Sequence, residues 1–234
     1  MPKVPTDPES APAPFQLTAL DREILSQTDE EYISHDWENL KDIIATNSLH
    51  LFKRKPSDLA NYITWSTAIK SLYGTITNYI CLERLRWPLN LDPATQCVDP
   101  TPFADSRAYR ILRNDWPYGV TPDISHLVVW VKNAIPVDEQ TGGDLTPESR
   151  RLIDEFVHRT FVVRLEEEFP DAKARVMWFK NWTALQSVRS LEHIHVLVRG
   201  VPDEIIFEWT GEPARKLSDP TVGLENAPTP TPVV

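Results

Sequence analysis

Apolar positions in the first third of the chain recur at three and four residues, the spacing of one face of an α-helix. After Pro56-Ser57-Asp58, which reads as a helix start, Leu59, Tyr62, Ile63, Ile69, Leu72, Tyr73, Ile76, Tyr79 and Ile80 keep that rhythm. Gly74 is placed to bend or split this long helix, and Trp87-Pro88 ends it. Two shorter helices come before. Thr18 or Asp21 opens one that runs through Leu25, and Asp36 caps another with Trp37, Leu40, Ile43 and Ile44 on one face. A further short helix is expected over residues 106–113.

Beyond residue 120 the period changes to two, the signature of strands. From His126 to Lys132, Leu127, Val129 and Val131 point one way, and His126, Val128, Trp130 and Lys132 the other. Thr146 then caps a helix with Pro147 at its first position and the stripe Leu152, Ile153, Phe156, Val157, Thr160 and Phe161. Residues 175–180 read as a strand. In the last strand Ile194, Val196 and Val198 face one side, while His193, His195, Leu197 and Arg199 face the other. A short helix over residues 204–209 closes the pattern. Helices followed by strand, helix, strand and strand imply an α+β protein, an N-terminal helical layer packed on a small antiparallel sheet. One domain over residues 15–216 is expected, between tails at 1–14 and 217–234 that are rich in proline and nearly free of large apolar residues.

Composition narrows the function. With 234 residues, 41% hydrophobic, and eight tryptophans, the chain can bury a sizeable core. No apolar run approaches the roughly 20 residues of a membrane span. The N-terminus carries no apolar targeting core, and Cys81 and Cys97 read as thiols of a reducing cytoplasm. A net charge of −10 argues against binding the nucleic-acid backbone. Positive charge is local instead: Lys53-Arg54-Lys55, Arg84 with Arg86, and Arg107, Arg110 and Arg113. Each island alone reads as a solvated helix face, but together they suit a small anion such as a sugar phosphate or a nucleotide. The sequence indicates no cofactor and names no protein partner.

The last strand holds the candidate chemistry. Two imidazoles and a guanidinium on one strand face can bind an anion. His195 is the candidate nucleophile toward a phosphoryl or nucleotidyl group, with His193 orienting it and Arg199 offsetting charge. His126 and Trp130 are expected to face the same cleft. In Asn114-Asp115-Trp116-Pro117-Tyr118-Gly119 the two aromatics can stack on a sugar or base while Asp115 accepts from hydroxyls. The same loop serves equally as a rigid lead into the His126 strand. No cysteine pair or His-Glu helix spacing supports a metal site, and no serine sits in a nucleophile turn.

Five ordered stretches carry a family resemblance: Lys53 to Leu59, Tyr73 to Tyr79, Asn114 to Gly119, Trp178 to Asn181, and Ser187 to Arg199. Over about residues 17–212 the chain resembles the fungal N-acetylglucosamine-induced protein 1 family. The resemblance implies a cytoplasmic fungal protein whose relatives are induced by an amino sugar, and it implies no reaction. A weaker likeness is to histidine-triad nucleotide hydrolases and transferases. It rests on the order His126–Lys132, Leu145-Thr146-Pro147-Glu148, Asn181, Gln186-Ser187-Val188 and His193-Ile194-His195. It implies a histidine-triad-like fold with Asn181 and Gln186 near a phosphate. Leu197 stands where the third histidine would be, glycines around Asn181 and Gln186 are missing, and four extra residues separate Val188 from His193. The expected function is recognition of a phosphorylated or nucleotide-linked small molecule, in amino-sugar metabolism, with phosphoester or nucleotidyl chemistry at the His-x-His strand. The alternatives are a non-catalytic regulatory or interaction protein and an accessory protein of a specialised pathway, so whether it is an enzyme stays open.

Overall fold

The computed structural model describes residues 17–89 and 99–224. The expected tail at 1–14, Cys97 and residues 225–234 lie outside the described residues. Helices come first because the capping residues and apolar spacing allow nothing else. Thr18 and Asp21 form a reciprocal capping box at the start of α1 (Ala19–Leu25). The Asp36 carboxylate accepts from the Asn39 amide at 2.8 Å to open α2 (Trp37–Ala45). Helix α3 (Pro56–Tyr73) has proline in its first turn and stops at Gly74, whose φ of 76° suits a residue without Cβ. Thr75 caps a restart, α4 (Ile76–Tyr79), which runs on as a π-helical turn over Ile80–Leu85. Gly74 therefore splits the long helix.

This layer covers one face of a four-stranded antiparallel sheet. Its strands are β1 (Tyr109–Arg113), β2 (Ile124–Val131), β5 (Val176–Phe179) and β6 (Glu192–Arg199), in the order β1-β2-β6-β5. A two-stranded ribbon, β3 (Val137–Asp138) and β4 (Asp144–Leu145), lies between β2 and the helix that follows. That helix, α5 (Pro147–Val157), is capped by the Thr146 hydroxyl, which accepts from the Ser149 amide. It continues through a π-helical turn at His158–Val162 into α6 (Val163–Glu166). Ile153, Phe156 and Phe161 pack with Leu127, Val129, Val131, Ile194, Val196 and Val198, so the second sheet face is buried as well. Helix α7 (Asp203–Thr210) adds Ile206 to that core. Burial of such side chains contributes roughly 1.5–3 kcal/mol each. The fold is α+β, as expected, with the sheet as the middle of three layers.

Two stretches depart from the sequence reading. Residues 106–113 form a single turn at Ser106–Ala108 and then strand β1, not a helix. Ile111 and Leu112 are adjacent and both buried, one in each core, because the sheet is covered on both sides. Over so short a segment, that burial looks like a helix face.

The other stretch is 217–224, read from composition as the start of a tail. It packs across the helical layer. The carbonyls of Ser218, Val222 and Gly223 accept from Asn61 Nδ2, Trp65 Nε1 and Tyr73 OH at 3.3, 2.9 and 3.1 Å, and the Ser218 amide donates to the Asp115 carbonyl at 2.8 Å. Gly223 has φ 78°, and a Cβ there would stand 2.2 Å from the Tyr79 ring. Gly223→Ala should therefore cost about 1–3 kcal/mol and lower the thermal midpoint by several degrees. An unchanged melting curve would show that this segment contributes little.

Candidate functional site

Antiparallel register sets the site. Trp130 pairs with His193, and Val128 and Phe179 both pair with His195. Directly paired side chains share a face. Trp130 accordingly lies 4.7 Å from the His193 ring, and Phe179 stacks on His195 at 4.8 Å and 11°. His126, one diagonal step from His195, donates across the strands at 2.9 Å between His126 Nε2 and His195 Nδ1.

The loop from Asn114 to Gly119 is clasped between sheet and helical layer. Asn114 Oδ1 accepts from the Trp116 amide at 3.0 Å. The Gly119 amide donates to the Lys53 carbonyl, and the Gly119 carbonyl accepts from the His35 amide, both at 2.9 Å. These bonds bring the Tyr118 ring onto His126 and Phe52. They also bring the Tyr118 amide 3.3 Å from His126 Nδ1.

That last bond decides where the protons are. An amide can only donate, so His126 Nδ1 holds a lone pair and Nε2 carries the hydrogen. His195 Nδ1 then accepts, and His195 Nε2 carries the hydrogen. Asn181 Nδ2 lies 3.3 Å from His195 Nε2 and 3.0 Å from Tyr118 OH. Two donors cannot face each other, so the satisfied arrangement turns the amide and presents its oxygen to both groups. Both nitrogens of His195 are thus engaged. His193 differs: its Nδ1 donates to the Leu191 carbonyl at 2.9 Å, which leaves the lone pair on Nε2.

All three imidazoles are neutral at physiological pH. Burial and then the Arg54 charge push His126 down to about 3, and burial with Lys180 takes His193 to about 4. His195 falls well below its usual value, through burial first and then its two histidine neighbours.

Beside them lies a cavity of about 90 Å³. His193, His195, Trp130, Asn114, Asp115, Trp116, Tyr118 and Asn181 line it. His126 stands behind, holding His195. Gln186 supports the wall, its Nε2 donating to the Asn181 carbonyl at 2.8 Å.

Arg199 is misplaced by the sequence reading. Four residues beyond His195, about 13 Å along the strand, its guanidinium sits over Trp37 at 5.0 Å and does not line the cavity. Asp115 is also differently employed. Its oxygens take Arg84 at 2.9 Å and Arg215 at 2.5 Å rather than standing free for a ligand. Trp116 packs against Tyr62 and Trp65 and serves mainly as core.

Three cations that the sequence flagged only as scattered islands meet at this wall: Arg54, Arg84 and Arg113. Arg84 is paired with Asp115 and Glu212, and Arg113 with Asp203, so among the described residues Arg54 is the guanidinium of this wall that no carboxylate neutralises. Arg54 donates to the Trp116 carbonyl at 3.2 Å and lies over Tyr62 at 4.4 Å. Buried polar atoms of three wall residues have no partner among the described residues: Arg84 Nη2, Trp116 Nε1 and one end of the Asn181 amide. With the amide turned as above, all three are donors.

Among the described residues no group of three or more histidine, cysteine, aspartate or glutamate side chains is arranged to hold a metal ion. No helix there is long and apolar enough to cross a membrane.

A family described as "Protein of unknown function (DUF3605)" matches residues 36–199. The chain belongs to this family. N-acetylglucosamine-induced protein 1 of Candida albicans is 28% identical over 185 residues, covering 74% of this chain and 71% of that protein. An uncharacterized Saccharomyces cerevisiae protein, YPL067C, is 28% identical over 179 residues, covering 76% and 86%. The crystal structure of HTC1 matches with a TM-score of 0.55 and 27% identity, over 72% of this chain and 86% of that one. The resemblance to N-acetylglucosamine-induced protein 1 is thus confirmed for this DUF3605 member. These findings do not carry the histidine-triad likeness. The site also departs from it, since Leu197 packs in the core with Phe52 and Phe179 where a third histidine would stand.

Proposed function

We propose that this DUF3605 protein recognises a small phosphate-bearing metabolite in the cavity beside the His193 strand. The observation that supports this most is the charge and hydrogen-bond balance of the wall. Among the described residues Arg54 has no carboxylate partner, and the buried donors Arg84 Nη2 and Trp116 Nε1 have no acceptor. A buried donor without an acceptor costs about 1–3 kcal/mol, which an anionic oxygen would recover. The name of the Candida relative supports a link to amino-sugar metabolism. On this reading the protein works in the cytoplasm.

The reading is first one of recognition. His195 has no free lone pair, so phosphoester chemistry at this strand would start from His193 Nε2.

Thermal stability against a panel of sugar phosphates, nucleotides and nucleotide sugars tests the proposal. A ligand at 100 times its dissociation constant adds about 2.7 kcal/mol, a rise of several degrees for a domain of this size. The rise should vanish in a folded His193→Ala/His195→Ala variant. No shift with any member of the panel would reject the proposal.

A further inference from the structure

The cavity differs from a plain anion site in one respect. Beside its donors, the wall also holds a fixed acceptor on His193. The His193 ring is held in place by its Nδ1 bond to the Leu191 carbonyl and by the Trp130 ring, and its Nε2 has no protein partner among the described residues. A fully ionised phosphate has no hydrogen to give that nitrogen, whereas a hydroxyl does. Burial keeps the imidazole neutral, with its pKa near 4, so at neutral pH it accepts and does not donate at Nε2.

Size adds a second constraint. At about 90 Å³ the space falls well below the roughly 300–1,000 Å³ of pockets that enclose a drug-sized molecule, so a whole nucleotide does not fit inside. The Trp130 ring on the same wall suits the C–H face of a sugar.

We infer that the cavity takes the phosphorylated end of a monosaccharide, with one sugar hydroxyl donating to His193 Nε2 while phosphate oxygens accept from Arg84 Nη2 and Trp116 Nε1. This deepens the anion-site reading above and rests on it.

Calorimetric titration of the wild-type protein tests it, using glucose 6-phosphate, its 2-, 3- and 4-deoxy analogues and inorganic phosphate. Glucose 6-phosphate should bind tighter than inorganic phosphate. One deoxy analogue should lose about tenfold in affinity, about 1.4 kcal/mol. In His193→Phe, which keeps an aromatic ring beside Trp130 but no acceptor, that difference between analogue and parent should disappear. Equal affinity for parent and all three deoxy analogues in the wild type would overturn the inference whether or not the variant folds. That result would leave the anion site standing. Failure of every ligand, inorganic phosphate included, would remove the anion site and this inference together.

Discussion

Between pH 6.5 and 4.5 the protein is expected to lose most of its folding stability. His126, His193 and His195 are buried and held neutral, with pKa values near 3 and 4 for the first two and well below 6.5 for the third. In the unfolded chain each returns to about 6.5. The unfolded state therefore binds more protons throughout this window, and stability falls as pH falls. Each group contributes about 1.4 kcal/mol per pH unit below 6.5, so three together approach 4 kcal/mol per unit, against a typical total of about 5–15 kcal/mol. Burial lowers His35 too, which adds in the same direction. The facing cations Arg54 and Lys180 oppose protonation further, and among the described residues no carboxylate bonds to any of the three rings to offset them. Carboxylates with lowered values, such as Asp29 and Asp171, act only in the more acidic range below their ordinary value of 3.8. The urea midpoint should thus be flat above pH 7 and drop steeply between 6.5 and 4.5. Equal midpoints at pH 7 and pH 5 would mean that the three rings are solvated or paired with an acid.

Local signals made most of the fold legible. Thr18, Asp36 and Thr146-Pro147 announce helix starts because capping chemistry lies within four residues. The alternation from His193 to Arg199 fixes which residues share a sheet face, and from it the neighbourhood of His193, His195 and Trp130 follows. What stayed hidden depends on pairing across long separations. Arg54, Arg84 and Arg113 come from a loop, a π-helical turn and an edge strand, and no periodicity relates them. Whether Arg199 reaches the histidines depends on distance along the strand, not on facing, which is why a shared face misled. Residues 217–224 look like a tail because their contribution is made by backbone carbonyls, and these leave no mark on composition. The proton positions were equally hidden, since they follow from one amide bond between Tyr118 and His126.

Arg84→Met is expected to destabilise the protein by about 2–4 kcal/mol and to abolish anion binding. Arg84 donates to Asp115 at 2.9 Å and to Glu212 at 2.7 Å, with 16% of its side chain exposed. Burial alone would disfavour its charge, but the two carboxylates more than compensate and hold it protonated above its usual range. Replacing an entire buried ion pair by apolar residues is often neutral, but removing one partner is not, because the remaining charges stay buried. Arg215, at 2.5 Å from Asp115 and 3.7 Å from Glu212, takes over part of the load, which is why the expected loss stays below the full effect of an orphaned pair. Arg84→Lys keeps the charge but not the two-pronged donation, so stability should rank arginine, then lysine, then methionine. Urea denaturation of the three proteins at pH 7.5 measures the ranking. A methionine variant as stable as wild type at pH 7.5 would show that Asp115 and Glu212 are sufficiently solvated without Arg84. In that case the unpartnered Nη2 would no longer mark a buried anion site.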